Sequence, residues 1–364
     1  MTKTNGDKRL MLFTRRTLLK LSGGILAVAP FVRLPISIHA NQPDPIITPA
    51  RRPFGRAIQA KLAVREGPSV SARLVRRLKW NEVIEIKGQT NGDGPTSYNP
   101  IWFWTTDGFV HSAYIQPSEN MLNVTLPKVD PNGQWGELTV PASEARSKPD
   151  AEAHILHRYY YGCTFRIIEG TADSSGAIWY RVNEGNGDAN FFVRAEHVRP
   201  ITSEEFVLLS PEVSLESKRI VVDLKAQMVT AFEQDKPVFT ARVATGAKFR
   251  LTNGSYRSFG TTPGDHRISL KIAGQRMTGG AAGDQFYYDL PGISWVSYFT
   301  ASGIAFHGTY WHNDWGAPRS HGCVNMLPED AKWVFRWTMP IVSDATRGFT
   351  RTTKRDKGSH VKVF

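Results

Sequence analysis

Ile304-Ala305-Phe306-His307-Gly308-Thr309 is an apolar run that ends on a histidine, and Ser320-His321-Gly322-Cys323-Val324-Asn325 follows it, with Cys323 sixteen residues after His307. The first stretch predicts a strand, and the second a glycine-bracketed turn entering another. A cysteine and two histidines so close in sequence admit two chemistries. In one, Cys323 is a nucleophile whose proton a histidine takes, and the Gly-Cys turn offers backbone N–H groups to an acyl oxyanion. Gly322 then keeps a Cβ away from the incoming carbonyl. In the other, His307, His312, His321 and Cys323 ligate zinc, since His321 and Cys323 would share one face of a strand. No C-x-x-C or H-x-x-x-H pair accompanies them, and zinc leaves Ser320 and Asn325 without a task. A third reading makes them satisfied core residues, which is harder to sustain for a His, Ser, His and Cys cluster between glycines than for one histidine.

The pattern His307-Gly308-Thr309 followed by Ser320-His321-Gly322-Cys323-Val324-Asn325 resembles the signature of the YkuD family of L,D-transpeptidases. Residues 219–233 resemble the opening hairpin of that family, Thr261-Thr262-Pro263-Gly264 its T-P-x-G turn, compressed by one residue, and 295–303 its aromatic strand. The resemblance implies that Cys323 is the nucleophile, that His307 is its base, oriented by a carbonyl near Gly308, and that His321 is a supporting histidine. It further implies oxyanion amides from Cys323 and Gly322, with Ser320, Asn325 and Arg319 shaping and binding. The implied reaction attacks the peptidoglycan stem tetrapeptide, releases D-Ala and forms a 3→3 cross-link through a thioester, with no cofactor and no metal. L,D-carboxypeptidase activity and a wall-binding protein with a vestigial catalytic domain are the alternatives. Aromatic Tyr287, Tyr288, Trp295 and Tyr298 are expected to flank the cleft.

Outward from the box, residues 219–224, 228–233 and 238–244 predict a three-stranded meander and 267–272 a further strand. Pro328-Glu329-Asp330, then Ala331, Val334, Phe335 and Thr338 at helical spacing, predict one short helix. The catalytic domain is placed at 217–344, and 345–364 is read as a mobile basic tail suited to anionic wall polymers or lipid head groups.

Upstream, strand-like runs at 57–64, 73–78, 82–86, 101–104 and 109–110 alternate with turns such as Asn91-Gly92 and Asp107-Gly108. Pro68 recurs as Pro149, Trp102 as Trp179, and the 110–117 segment as 193–200, offsets that point to a duplicated module. The first copy resembles the bacterial SH3-like domain at Val64-Arg65-Glu66-Gly67-Pro68-Ser69 and at its Val110-His111 ending; the second resembles it more weakly. Domains are thus expected at 54–118 and 135–201. Wall binding and a packing scaffold are both open for them. The fold class is mostly β: two small SH3-like barrels followed by a YkuD-type β-sandwich catalytic domain with one short helix.

With 41% hydrophobic residues and 21% charged in 364, the chain is neither disordered nor a polytopic membrane protein. Its net charge of +12 is concentrated at the ends, since residues 1–40 hold seven Lys/Arg against one Asp and 347–364 hold six against one. No folded domain is therefore a basic platform, and nucleic acid is not an expected partner; a monomer is. Lys3, Lys8, Arg9, Arg15 and Arg16 precede a short apolar stretch at 21–32, the pattern of an export signal. Thr14-Arg15-Arg16-Thr17-Leu18-Leu19-Lys20 resembles the twin-arginine motif, and a general secretory signal is the alternative. Residues 41–53 are a Pro-rich linker. Periplasm or extracellular wall is the expected location. The lone Cys163, in a strand-like run, is read as a small buried core residue.

Overall fold

Along Lys218–Asp223, Ile220 and Val222 are buried while Arg219, Val221 and Asp223 are partly exposed, the period of two that one covered sheet face requires. The computed structural model describes residues 47–126, 128–185, 191–354 and 357–364. The expected export segment and the start of the linker lie outside these residues. Among the described residues no helix is long and apolar enough to cross a membrane.

The C-terminal region is built from two five-stranded sheets. One runs in the order Lys236–Arg242, Met228–Glu233, Lys218–Asp223, His360–Val363, Gly264–Arg267; the other runs Val324–Met326, Ala305–Gly308, Tyr288–Tyr298, Leu270–Gly279, Phe349–Arg351. The meander appears as expected. The helix is Pro328–Trp337, with proline in its first turn beside Glu329 and Asp330, where acidic groups complement the helix dipole. It buries Val334, Phe335 and Trp337 in a core shared by both sheets, which includes Val222, Val229, Phe306, Val324 and Val361.

The mobile tail is corrected. His360–Val363 fills the slot between Lys218–Asp223, which it joins in parallel, and Gly264–Arg267, antiparallel. Val361 and Val363 are buried at 0% and 1% exposure. Phe349–Arg351 closes the other sheet. Arg351 and Lys362 lie within the two short strands, with Arg347, Lys354 and Lys357 outside them, and the sheets of the C-terminal region extend beyond 344 to Val363.

Upstream, the first module pairs Phe54–Ala57 with both Val83–Glu85 and Ile115–Ser118, and sets Leu62–Arg65 between Leu74–Leu78 and Gly108–His111, followed by Ile101–Thr105 and Gly88–Asn91. The run expected as one strand at 57–64 is two, because the chain turns at 58–61 with Lys61 at φ 61°. The second module repeats the pairings, with the long strand Thr164–Ala172 standing where the first has Val83–Glu85 and Gly88–Asn91. Gln134–Leu138 lies beside Val198–Pro200, Ala142–Arg146 beside Ile155–Tyr160 and Phe191–Arg194, and Ile178–Asn183 between Phe191–Arg194 and Thr164–Ala172. Even the single-turn 3₁₀ segments recur, at Ser112–Tyr114 and Ala195–His197.

The second module shares a core with the catalytic sheets: Tyr159, Phe165, Val182 and Val193 cluster with Ile293, Val296, Ala305 and Tyr310. Thr164 Oγ1 donates to the Ala273 carbonyl at 2.6 Å. Gly292, at φ 65°, faces Cys163 so closely that a Cβ would lie 2.9 Å from that of the cysteine. Cys163 is buried as expected, and burial pushes its thiol up.

Candidate active site

Two parallel strands hold the box. Phe306 lies opposite Val324, His307 opposite Asn325 and Gly308 opposite Met326. Phe306 and Val324 point into the core beneath the helix, while Ala305 and Cys323 pack on the core shared with the second module. Alternation therefore places His307, Asn325 and Cys323 on one face, the cysteine just before the ladder begins.

His307 is 2% exposed, and its Nδ1 donates to the Gly308 carbonyl at 3.0 Å. Burial pulls its pKa down to about 4, against the opposing pull of that carbonyl. The ring is thus neutral with Nε2 as its free acceptor. Gly308 has no room for a side chain: a Cβ would meet Ser294 Oγ at 2.2 Å and Pro328 Cα at 3.0 Å. Its part is structural, a carbonyl for His307 and a gap for its neighbours.

Cys323 is partly accessible. Its low-polarity surroundings push the thiol up to about 11, opposed by the Ala305 backbone amide bonded to the sulfur. Sγ donates to the Gly303 carbonyl at 3.8 Å. Both groups of the pair are therefore neutral at rest.

The turn before Cys323 is braced from several sides. Ser320 Oγ donates to the Cys323 carbonyl and accepts the Gly322 N–H, the latter at 3.1 Å. The Gly322 amide, expected to serve an oxyanion, donates within the turn in this structure. Gly322 sits at φ 124°, so its glycine is demanded by backbone conformation; the nearest atom to an added Cβ would be Ile304 Cγ1 at 3.4 Å, ordinary crowding. Thr261, from the expected Thr-Thr-Pro-Gly turn, donates its hydroxyl to the Gly322 carbonyl at 2.6 Å and accepts the Gly246 N–H at 2.9 Å.

Asn325, fully buried, exchanges hydrogen bonds with the strand edge at Ala244 in both directions. Its side-chain amide meets His312 Nε2 at 2.9 Å, and the Asp314 N–H donates to His312 Nδ1 at 3.3 Å. With Nδ1 accepting, Nε2 carries the proton, so it is Asn325 Oδ1 that faces it; that orientation also removes the unpartnered oxygen left by the other. Burial, then the charges of Arg319 and His307, pull the His312 pKa down to about 3. Beyond its weighing as a zinc ligand, His312 gave no sequence signal, because its partner Asn325 is set by loop geometry.

His321 stands in an aromatic nest. Its ring stacks on Phe249 at 4.7 Å and 12°, with Phe259 and Phe286 edge-on and Tyr288 at 5.3 Å. Burial first, then Arg257, lowers its pKa. Arg319 is diverted from substrate: it pairs with Asp314 and donates to Tyr98 Oη at 3.0 Å. Of the expected cleft aromatics, Tyr288 and Tyr298 lie within the field of Cys323, each with its pKa raised chiefly by burial. Tyr287 is exposed at the surface. Trp295 is corrected: at φ 54° it turns into the core, fully buried against Phe206 and Phe335.

Among the described residues no three His, Cys, Asp or Glu side chains gather as a metal site would need. A cavity of about 390 Å³ opens behind His312, lined also by Asn99, Gln116, Thr309 and Trp315; Cys323 is not part of its wall.

Residues 217–361 match the family model described as YkuD, L,D-transpeptidase catalytic domain. No curated protein matches the chain. Among solved structures, an L,D-transpeptidase from Xylanimonas cellulosilytica DSM 15894 is 22% identical over 41% of this chain and 60% of its own, with a TM-score of 0.28. An Enterococcus faecium L,D-transpeptidase mutant is 18% identical over 41% and 50%, at 0.29. An L,D-transpeptidase from Mycobacterium smegmatis is 15% identical over 68% and 94%, at 0.30. The chain thus spans three fifths or less of the Xylanimonas and Enterococcus structures. The assignment of 217–361 as a YkuD L,D-transpeptidase catalytic domain rests on the family match.

Proposed function

We propose that this chain is an exported peptidoglycan L,D-transpeptidase that works through a thioester on Cys323. The observation that carries the reading is that Cys323 directly precedes the strand Val324–Met326, whose Asn325 lies opposite His307 in parallel, inside the segment that matches the family. His307 Nε2 takes the thiol proton as Sγ bonds to the carbonyl carbon of the third, diamino acid residue of a stem tetrapeptide. The bond to the terminal D-Ala breaks, and its nitrogen leaves with the proton from His307. A side-chain amine of a second stem then attacks the thioester, gives up a proton to His307, and restores the thiol, leaving a 3→3 cross-link.

The oxyanion falls to the amide of Cys323, since the Gly322 N–H is engaged by Ser320. Ser320, Thr261 and Asn325 hold the turn, and His321 with its aromatic neighbours forms one wall of the approach. The two modules are SH3-like domains used as packing partners of the catalytic region, a role favoured by the core that the second shares with it and by the hydrogen bonds that the first makes to residues 310–314.

Incubation of the chain from Asn41 with a disaccharide tetrapeptide, followed by mass, tests this. Loss of alanine with dimer formation is expected. Loss of alanine alone would make it an L,D-carboxypeptidase, and no loss with a reactive Cys323 would leave the wall-binding reading.

A further inference from the structure

The eleven residues 309–319 link the two halves of the site, leaving His307-Gly308 and returning at Ser320. They contain no strand or helix. Ordering such a loop costs roughly 1 to 2 kcal/mol per residue in backbone entropy, so something outside it must hold it.

The end of the loop is tied to the catalytic region, where Gly316 N donates to the Val243 carbonyl at 3.0 Å and Arg319 N to the Thr245 carbonyl at 2.8 Å; its middle is tied by the first module. Asp314, 2% exposed, accepts from Asn99 Nδ2 at 3.0 Å and from Tyr98 Oη at 3.0 Å, besides its pairing with Arg319. Asn99 is itself fixed. Its Oδ1 accepts from Ser112 Oγ at 3.1 Å and Ile101 N at 3.3 Å, which orients Nδ2 toward Asp314, and its carbonyl meets His111 Nε2 at 2.9 Å.

The backbone of the loop is tied as well. Asn313 N donates to the Ala113 carbonyl at 3.0 Å, and its Nδ2 to the Ser112 carbonyl at 3.2 Å. Arg56, also 2% exposed, donates to the Tyr310 carbonyl at 2.8 Å. Its other donors meet Gln116 Oε1 and Asn81 Oδ1, and its guanidinium lies 3.8 Å from the Tyr160 ring of the second module. A buried guanidinium given amide and backbone oxygens as partners is costly for a mere linker and reasonable for a clamp.

We propose that the first module is a brace of the active-site loop, in which Asn99, Tyr98 and Arg56 are positioning residues that keep His312 seated against Asn325 on the nucleophile strand. The inference rests on the transpeptidase reading for its catalytic consequence, but the bracing itself does not. Asp314 begins two residues after His312 and donates its N–H to that ring, so a shift of Asp314 moves the histidine directly. Loss of Asn99 or Tyr98 takes one of three donors from a buried carboxylate and leaves Arg319 to hold it, which costs a desolvated hydrogen bond.

The test uses the full chain with Asn99→Asp, which sets two carboxylates face to face, Tyr98→Phe, and the double variant Asn99→Asp with Asp314→Asn, which restores one amide and one carboxylate in exchanged positions. Two readouts are followed: D-Ala release from a disaccharide tetrapeptide, and the rate of tryptic cleavage after Arg319, at the end of the loop. Asn99→Asp is expected to lower kcat about tenfold or more with KM little changed, and to speed that cleavage by a similar factor, because two buried carboxylates facing each other repel and open the loop locally. Tyr98→Phe should move both in the same direction by less, and the double variant should recover most of each loss. Should Asn99→Asp fail to fold, Tyr98→Phe and the double variant still decide. Cleavage and turnover at the parental level in Tyr98→Phe and Asn99→Asp, or a double variant no better than Asn99→Asp alone, overturns the brace. If the parent releases no D-Ala, the transpeptidase reading fails while cleavage after Arg319 still reads the brace.

Discussion

His307 Nδ1 lies 3.0 Å from the carbonyl oxygen of Gly308, the residue that follows it, and only a protonated Nδ1 makes that bond. The tautomer is thereby set without a carboxylate. Burial pulls the pKa of the ring down to about 4, and the neutral carbonyl, which favours the charged ring, opposes it without prevailing. With the Cys323 thiol pushed up and the His307 ring pulled down, the expected resting state is thiol and imidazole.

That resting state has a kinetic signature. With the Cys323 thiol pushed up to about 11, roughly one in ten thousand is ionised at pH 7. Alkylation of Cys323 by iodoacetamide, read by peptide mass, should therefore climb with pH through pH 9 and show no plateau near neutrality. A plateau below pH 7 would mean a preformed thiolate–imidazolium pair. In His307→Ala, D-Ala release should fall by 10² to 10⁴-fold, the usual worth of a positioned base.

Gly322→Ala is expected to impair the nucleophile turn through the backbone. An alanine at φ 124° is strained by about 1 to 3 kcal/mol, although its Cβ meets nothing closer than 3.4 Å. Relief of that strain rotates the peptide that carries the Cys323 amide and breaks the Gly322 to Ser320 bond. Turnover should drop at least tenfold with a lowered Tm. Full activity in this variant would mean that neither the backbone strain nor the steric role first read for Gly322 governs the turn.

Removal of residues 359–364 should abolish the catalytic fold. The lost strand is an inner member of a five-stranded sheet, and its two buried valines contribute about 1.5 to 3 kcal/mol each. Far-UV circular dichroism with a thermal scan checks this. A cooperative transition and surviving D-Ala release would show that the sheet closes without it.

The candidate site was legible because His307, Cys323 and the turn before it lie within nineteen residues, 307–325, and are of residue types that such chemistry needs. The duplicated modules were legible from Trp102 and Trp179 and from their matching ends. What stayed hidden depends on distant partners. Val361 and Val363 alternate, but the strand they join begins at Lys218. Arg319 looks free until Asp314 and Tyr98 are brought beside it. Trp295 looks like a cleft aromatic because the positive φ that turns it inward leaves no mark on residue type.

His312 provides the last expectation, on acid stability. In the folded chain its pKa is pulled down to about 3, whereas an unfolded histidine titrates near 6.5. Below pH 6.5 the unfolded chain takes up a proton that the folded one refuses, so stability present above that pH is lost as the pH falls toward 3. His312→Gln keeps an amide for Asn325 and cannot take the proton. Its stability near pH 7.5 should be somewhat lower, since the bond to Asp314 N–H is disturbed. Between pH 6.5 and 4 the parent should lose stability faster than the variant, by up to about 1.4 kcal/mol per pH unit, the slope of one proton. Urea midpoints of both proteins at pH 7.5, 6 and 4.5 measure the difference. Subtracting the two curves cancels the other buried titrating groups, such as His157, also pulled down to about 4 by burial, and Asp330, raised to about 6 with the opposite sign. Parallel curves would mean that His312 is solvated enough to titrate normally, and its seat against Asn325 would then be too loose to hold the nucleophile strand.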